Sequence, residues 1–247
     1  MDLKDFFLEH PSVAVAFSGG VDSAYLLYAA GKYAKQCRAY YVKSAFQPQF
    51  ELEDALRFCG EAGIPLRVLS VDILSCEEVA ENPADRCYHC KKRIFSAILT
   101  AAQEDGFTVL LDGTNASDDS GDRPGMRALV EMSVLSPLRI CGLTKAQIRA
   151  LSKEAGLFTW DKPAYACLAT RITAGERITQ EKLTATEEAE GFLSGLGFTD
   201  FRVRRRGDGA LLQMKDDQTE KVLEHREEIL GQLKQYYSYA ALDLEAR

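Results

Sequence analysis

The stretch Val13-Ala14-Val15-Ala16-Phe17-Ser18-Gly19-Gly20-Val21-Asp22-Ser23 constrains this chain more than any other. Val13 to Phe17 is a continuous apolar run, the pattern of a strand covered on both faces. Ser18, Gly19 and Gly20 permit a sharp turn and a close approach of backbone to ligand. Asp22 and Ser23 then open a helix through Ala24-Tyr25-Leu26-Leu27-Tyr28-Ala29-Ala30. A helix start with free N–H donors attracts anions. Strand, glycine turn and helix start together predict a phosphate-binding loop. The lysine of a Gly-x-x-x-x-Gly-Lys-Ser/Thr loop is missing, and so is the Gly-x-Gly-x-x-Gly dinucleotide fingerprint.

Beyond the loop, strands and helices alternate. Strands are predicted at Arg38 to Lys43, Leu66 to Ile73 and Thr108 to Leu111, with helices at Leu3 to His10, Phe50 to Ala62 and Cys87 to about Gln103. This alternation predicts an α/β fold with a doubly wound parallel sheet. Ligands bind such sheets at the carboxyl ends of the strands. Ser18, Ser44 and Asp112 all stand at those ends, so one site can gather them. A polar loop follows at Ala116 to Gly125, then a helix at Met126 to Met132 and an extended Val134 to Leu138. Thr144 with Gln147 reads as a capping box for a helix to Ala155.

From about Ala174 the texture changes. A helix at Thr179 to Gly195, a strand at Phe201 to Arg206, a Gly207-Asp208-Gly209 turn, a strand at Ala210 to Met214, a long helix at Gln218 to Tyr236 and a strand at Ser238 to Leu244 make a small α+β unit. The expected domains are therefore 1–175 and 176–247.

The 247 residues are 46% hydrophobic and 27% charged, which suits a globular chain with a sizeable core. No apolar run approaches the ~20 residues that span a bilayer, so no membrane is expected. The N-terminus lacks the basic and apolar stretches of a signal peptide, and seven cysteines are an odd number; reduced thiols and a cytoplasmic location are expected. A net charge of −7 argues against an extended nucleic-acid surface.

Cys87 and Cys90 form a Cys-x-x-Cys at a predicted helix start. The helix dipole and Lys91, Lys92 and Arg93 favour their thiolates. Cys167 lies within Pro163-Ala164-Tyr165-Ala166-Cys167-Leu168-Ala169-Thr170-Arg171. Three thiolates do not close a tetrahedral site, but they suit a 4Fe–4S cluster with one iron open, or zinc with a fourth ligand such as His89. A redox disulfide between Cys87 and Cys90, and three uninvolved thiols, are the other readings. Cys37, Cys59, Cys76 and Cys141 are expected to be structural.

Ser18-Gly19-Gly20-Val21-Asp22-Ser23 resembles the pyrophosphate loop (PP-loop) of the ATP pyrophosphatases, which cut ATP between its α- and β-phosphates. Together with the Cys pair, Asp112-Gly113, Asp122-Arg123-Pro124-Gly125 and the Cys167 block, the chain over nearly its full length resembles the ATP-dependent sulfur transferases of LarE type. These build the nickel-pincer nucleotide cofactor of lactate racemase. It departs from them after Arg171, with Thr173-Ala174-Gly175 where Pro-Tyr-Gly is usual.

The resemblance implies ATP and Mg²⁺ as cofactors, and a pyridinium biscarboxylate mononucleotide as substrate. One carboxylate is adenylated with release of pyrophosphate and then becomes a thiocarboxylate. The three-cysteine set, Cys87, Cys90 and Cys167, implies the 4Fe–4S variant, fed by sulfide or a cysteine desulfurase, in a homo-oligomer of six subunits. The loop residues Ser18, Gly19, Gly20, Val21, Asp22 and Ser23 would hold pyrophosphate, with Asp22 also at Mg²⁺. Ser44, Gly113 and Arg123 complete the expected nucleotide site, and Cys167, Arg171 and Glu190 the catalytic one. Strand alternation puts Arg202, Arg204 and Arg206 on one face, which suits an anionic nucleotide or simply guards an exposed edge. Two competing functions are tRNA thiolation, which needs a broad basic surface, and a non-enzymatic ATP-binding iron–sulfur sensor.

Overall fold

In the computed structural model, which describes residues 1–118 and 124–245, Val13, Ala14 and Val15 are completely buried. In chain order the first elements are α1 (Leu3–Glu9), β1 (Ser12–Ala16), α2 (Val21–Tyr33), β2 (Gln36–Lys43), α3 (Gln49–Ala62) and β3 (Leu66–Ser70). A short α4 (Glu77–Ala80) precedes α5 (Arg86–Glu104), β4 (Leu110–Leu111), α6 (Pro124–Glu131), α7 (Pro137–Ile140) and α8 (Lys145–Glu154). After a 3₁₀ turn at Leu168–Arg171 come α9 (Gln180–Gly195), β5 (Arg202–Arg206), β6 (Gly209–Gln213), α10 (Thr219–Glu224), α11 (Arg226–Leu233) and β7 (Ala240–Leu242).

These elements form two compact units. The first comprises Met1–Ile73 and Asp85–Tyr165; the second comprises Leu74–Ala84 and the chain from Ala166 onward. The division falls at 165/166, earlier than the 175/176 change in texture, and it is not collinear. The reason is Asn82, which is fully buried. Its side-chain amide donates to the Thr173 and Glu176 carbonyls at 2.8 and 3.1 Å, and its backbone carbonyl accepts from Gly175 N–H at 2.8 Å. Arg177 reaches Glu77 and Glu81 beside it. Segment 74–84 is thereby built into the second unit.

The first unit carries a parallel four-stranded sheet in the order β3-β2-β1-β4, as the alternating pattern predicts. One face packs on α1, α2 and α3 through Phe6, Leu26, Leu27, Tyr41 and Phe58; the other packs on α5 and α6 through Tyr40, Phe95, Ile98 and Leu129. The order matters for function. The chain leaves β1 toward β2 and β3, then returns to place β4 on the other side of β1. Strand direction of travel reverses there, and a crevice opens beyond the carboxyl ends of β1 and β4.

The second unit pairs β5 antiparallel to β6 and β6 parallel to β7. Ala189, Leu193, Phe198, Val203, Leu212 and Leu233 fill its core. The long helix expected from Gln218 to Tyr236 is broken into α10 and α11 at His225, whose ring packs edge-on against Phe198 and whose Nδ1 faces Glu228 at 3.2 Å. The last strand spans only Ala240–Leu242.

Candidate active site

A cavity of about 350 Å³ lies in the first unit, where the switch in strand order opens the sheet. Ala16, Phe17 and Ser18 reach it from the end of β1, and Asp112, Gly113 and Thr114 from the end of β4. Tyr41, Val42, Phe95 and Ile98 make an apolar side; Ser18, Gly20, Asp22 and Ser23 make a polar one. An apolar slot ending in a few polar groups is the usual form of a nucleotide site, and the volume falls in the range of small-molecule pockets.

The loop is shaped by two glycines for different reasons. Gly19 adopts φ +74°, a conformation side chains rarely take, and a Cβ there would stand 3.2 Å from the Glu51 carbonyl. Gly113 has an ordinary backbone but touches α2 directly: a Cβ would come within 2.9 Å of Ser23 N. Close packing of the β4 end on the loop is therefore possible only with glycine at 113. The two loop hydroxyls, Ser18 Oγ and Ser23 Oγ, are 3.1 Å apart, and Ser23 Oγ also accepts from Ser18 N–H and donates to the Gly20 carbonyl. No side chain caps the N-terminus of α2. Its first-turn N–H groups are thus the unfilled donors that an anion would take. The cradle fits a polyphosphate.

Acidic residues surround this turn. Asp22 accepts from the Lys145 ammonium, and from Asn115 Nδ2 at 3.3 Å. Asp112, only 6% exposed, accepts from the hydroxyls of Thr114 and Ser136. Asp118 accepts from Asn115 N–H at 2.9 Å. Asp22, Asp112 and Asp118 all line the cavity, and hard carboxylate oxygens of this kind fit Mg²⁺. Ser44 lies elsewhere than expected. Its hydroxyl donates to Gln47 Oε1 at 2.7 Å and accepts from Phe46 N–H; Gln47, not Ser44, lines the cavity. Arg123 lies outside the described residues.

Cys87 and Cys90 are the second and fifth residues of α5, about one turn apart, and α5 has no side-chain cap. Arg86 Nη2 lies 3.9 Å from Cys87 Sγ. Cys87 is exposed, in contrast to Cys59, whose burial pushes its thiol up to about 12; burial also raises Cys37 and Cys141. Cys76, the fourth cysteine expected to be structural, is raised as well, first by burial and then by its bond to Glu78. Among the described residues of the first unit, no third cysteine, histidine or carboxylate joins Cys87 and Cys90 in a metal-binding group. Three soft thiols suit a 4Fe–4S cluster by their chemistry, and the third, Cys167, belongs to the second unit.

In the second unit, four expected site residues come together around the Cys167 turn. The Cys167 carbonyl accepts from Thr170 N–H at 3.0 Å and from Thr170 Oγ1 at 2.8 Å. Arg171, 1% exposed, donates to the Ala166 carbonyl and Thr170 Oγ1 at 3.0 and 2.8 Å. Its other nitrogens form a bidentate pair with Glu190 at 2.7 and 3.1 Å. Glu190 also accepts from Val203 N–H at 2.9 Å. Arg204 donates to the Thr170 carbonyl at 2.8 Å. Arg202 is buried and donates to the Phe201 carbonyl, while Arg206 reaches Thr173 Oγ1 at 3.2 Å. Arg204 Nε also donates to Gln213 Oε1 on the neighbouring strand β6.

Sequence reasoning missed Lys145, Lys162, Asn115 and Gln47. Lys145 left a legible signal: it stands at the first position of α8, between the Thr144 and Gln147 of the capping box, where the helix dipole disfavours a cation. A lysine kept there has another partner, and that partner is Asp22.

A parallel sheet with this order, a glycine turn at its switch point and an uncapped helix aimed into a nucleotide-sized cavity define an ATP-using enzyme of the PP-loop class. No family model matches the chain. It is 33% identical to an uncharacterized protein of Synechocystis sp., over 99% of this chain and 92% of that one. It is 30% identical to the pyridinium-3,5-bisthiocarboxylic acid mononucleotide synthase of Lactiplantibacillus plantarum, over 94% of this chain and 85% of the synthase. A shorter match, 24% identical over 59% of the chain, reaches a tRNA-specific 2-thiouridylase of Thermotoga petrophila, covering 52% of that enzyme. The chain belongs to the family of the mononucleotide synthase. Among the described residues no helix is long and apolar enough to cross a membrane.

Proposed function

We propose that this chain is an ATP-dependent sulfur transferase of nickel-pincer nucleotide synthesis, the pathway of lactate racemase maturation. The observation that supports it most is the cavity at the ends of β1 and β4, with the uncapped α2 N-terminus at its polar side. In this reading a carboxylate oxygen of pyridinium-3,5-biscarboxylate mononucleotide attacks the α-phosphorus of ATP. The bond to the bridging oxygen breaks, and pyrophosphate leaves into the N–H groups of Gly19 to Asp22 and the hydroxyls of Ser18 and Ser23. Asp22, which accepts from Lys145, is the residue that would hold Mg²⁺, whose charge would offset that of the phosphates. A sulfur nucleophile then attacks the acyl carbon, the carbon–oxygen bond to AMP breaks, and AMP leaves with the electron pair.

Cys87, Cys90 and Cys167 are the residues that would hold the sulfur source. A 4Fe–4S cluster, bound by the three, would supply an exchangeable sulfide, replenished by free sulfide or a cysteine desulfurase. Arg171 and Arg204 act on the Cys167 turn by donating to the Ala166 and Thr170 carbonyls, and Glu190 orients Arg171 by accepting from it. Arg202 and Arg123 are the further cations proposed for the nucleotide phosphate, and a hexameric assembly in the cytoplasm accords with the resemblance.

The test is Cys167→Ala. Substrate-dependent pyrophosphate release should survive, while the thiocarboxylate, read by mass spectrometry, should vanish. Normal product from that variant would remove Cys167 from the mechanism. A second reading, tRNA thiolation, draws on the likeness to the 2-thiouridylase. It predicts a salt-sensitive gel shift with tRNA; the −7 charge weighs against it.

A further inference from the structure

The segment that leads to Cys167 is fastened to the pyrophosphate loop by one ammonium. Lys162 Nζ donates to the Gly19 carbonyl at 3.2 Å and to Asp54 Oδ2 at 2.6 Å. It stands 5.5 Å from the centre of the Phe50 ring, and its side chain is only 16% exposed. An ammonium is drawn that far from water only when partners replace its hydration, and here a carboxylate, a carbonyl and an aromatic face do so. The neighbouring chain is pinned as well. Arg149 holds the Trp160 and Lys162 carbonyls, each at 2.7 Å. Tyr165 packs edge-on against Phe50 with ring centres 5.0 Å apart. Residues 160–165 are therefore held from both α8 and α3. Cys167 follows Tyr165 by two residues, so covalent geometry alone keeps their Cα atoms within about 7 Å.

The other end of this fastening is the loop itself. All described peptides are trans, so the Gly19 carbonyl and the Gly20 N–H point in opposite directions. Lys162 grips the carbonyl, and Gly20 lines the cavity. An anion drawn to the Gly20 N–H acts on the same rigid peptide that Lys162 holds. Gly19 holds a φ of +74°, and a Cβ at this position would stand 3.2 Å from the Glu51 carbonyl, so a side chain here would disturb the peptide that Lys162 grips.

We propose that Lys162 is a positioning residue that links occupancy of the pyrophosphate loop to the placement and reactivity of Cys167. The proposal rests on the reading of Cys167 as the sulfur-bearing thiol, and its test is chosen to separate the two. The full chain is alkylated with iodoacetamide, with and without Mg²⁺ and a saturating non-hydrolysable ATP analogue, and the Cys167 peptide is followed by mass spectrometry. Nucleotide should change the wild-type alkylation rate several-fold. Lys162→Met should abolish that response, Lys162→Arg should retain most of it, and Asp54→Asn, which leaves the cation in place, should fall between. Calorimetry with the analogue verifies saturation for each variant. In the turnover assay, Lys162→Met should release several pyrophosphates per thiocarboxylate formed.

A wild-type chain whose Cys167 ignores nucleotide overturns the link, as does an undiminished response in Lys162→Met or loss of all nucleotide binding in it. Should Lys162→Met not fold, Lys162→Arg and Asp54→Asn decide: a response in both equal to wild type counts against the proposal. A wild-type chain that responds to nucleotide yet makes no thiocarboxylate leaves the link standing and removes the proposed function instead.

Discussion

Two charged pairs, one in each unit, meet opposite fates. In the first, Lys145 and Asp22 pair beside the cavity with side chains 35% and 22% exposed. In the second, Arg171 and Glu190 pair at 1% and 7% exposure, with further bonds from Arg171 to the Ala166 carbonyl and Thr170 Oγ1 and from Val203 N–H to Glu190. A partly solvated pair can trade one partner for an incoming ion at small cost. A buried pair cannot release a partner without stranding a charge in a poor solvent. The Lys145–Asp22 pair is thus the more exchangeable of the two, and the Arg171–Glu190 pair the more fixed.

The sharpest way to break this contrast is Arg171→Met. It leaves Glu190 buried without its cation, and about 3–5 kcal/mol of stability should be lost. Urea denaturation followed by intrinsic fluorescence would measure it, and a loss below about 1 kcal/mol, the range of an exposed pair, would dissolve the distinction between the units. Next in size is Gly113→Ala. Its Cβ would press on Ser23 N at 2.9 Å, so overpacking should cost about 1–3 kcal/mol and shift the loop enough to weaken ATP-analogue binding. Unchanged affinity by calorimetry would show that the close approach of β4 to α2 does not shape the cradle. Lys145→Ala should move stability by no more than about 1 kcal/mol, an effect that shrinks further as salt screens the pair. Its larger consequence should be on the Mg²⁺ concentration needed for nucleotide binding, which falls because Asp22 no longer has a resident cation.

The smallest effect concerns pH. Hydrogen bonds from Arg38 and then Tyr40 hold the Asp105 carboxyl at about 2. In an unfolded chain such a group titrates near about 3.9. Its contribution to stability is therefore complete above about pH 4 and lost as pH falls through about 2. Asp105→Asn should flatten the acid slope of the melting temperature in that window alone. A slope that persists unchanged would assign the acid sensitivity to other carboxylates.

Much of the first unit was legible because its signals are local. An apolar run, two glycines and an acidic helix start report strand, turn and helix start within eleven residues, and the structure keeps all three. The capping box at Thr144 and the helix bearing Cys87 and Cys90 follow the same logic. Ser44 was misjudged because a strand-end position does not say which way a hydroxyl turns, and Gln47 took it. The arginine alternation on β5 was read correctly as a period, but not its partners, which depend on the 3₁₀ turn at Leu168–Arg171. The excursion of 74–84 into the second unit left no trace in composition, since it rests on Asn82 meeting residues more than ninety positions away.

By itself the sequence determined the strand–loop–helix that can hold a polyphosphate, the alternation that makes a parallel sheet, and the spacing of Cys87 and Cys90 on one helical turn. Backbone sterics and side-chain periodicity act over a few residues, so a linear reading captures them. Only the tertiary structure decided that Lys145 answers Asp22, that Lys162 grips Gly19, and that Arg171 and Glu190 close on each other beside Cys167. Those choices depend on burial and on which charges lose water together, and both are properties of the packed chain.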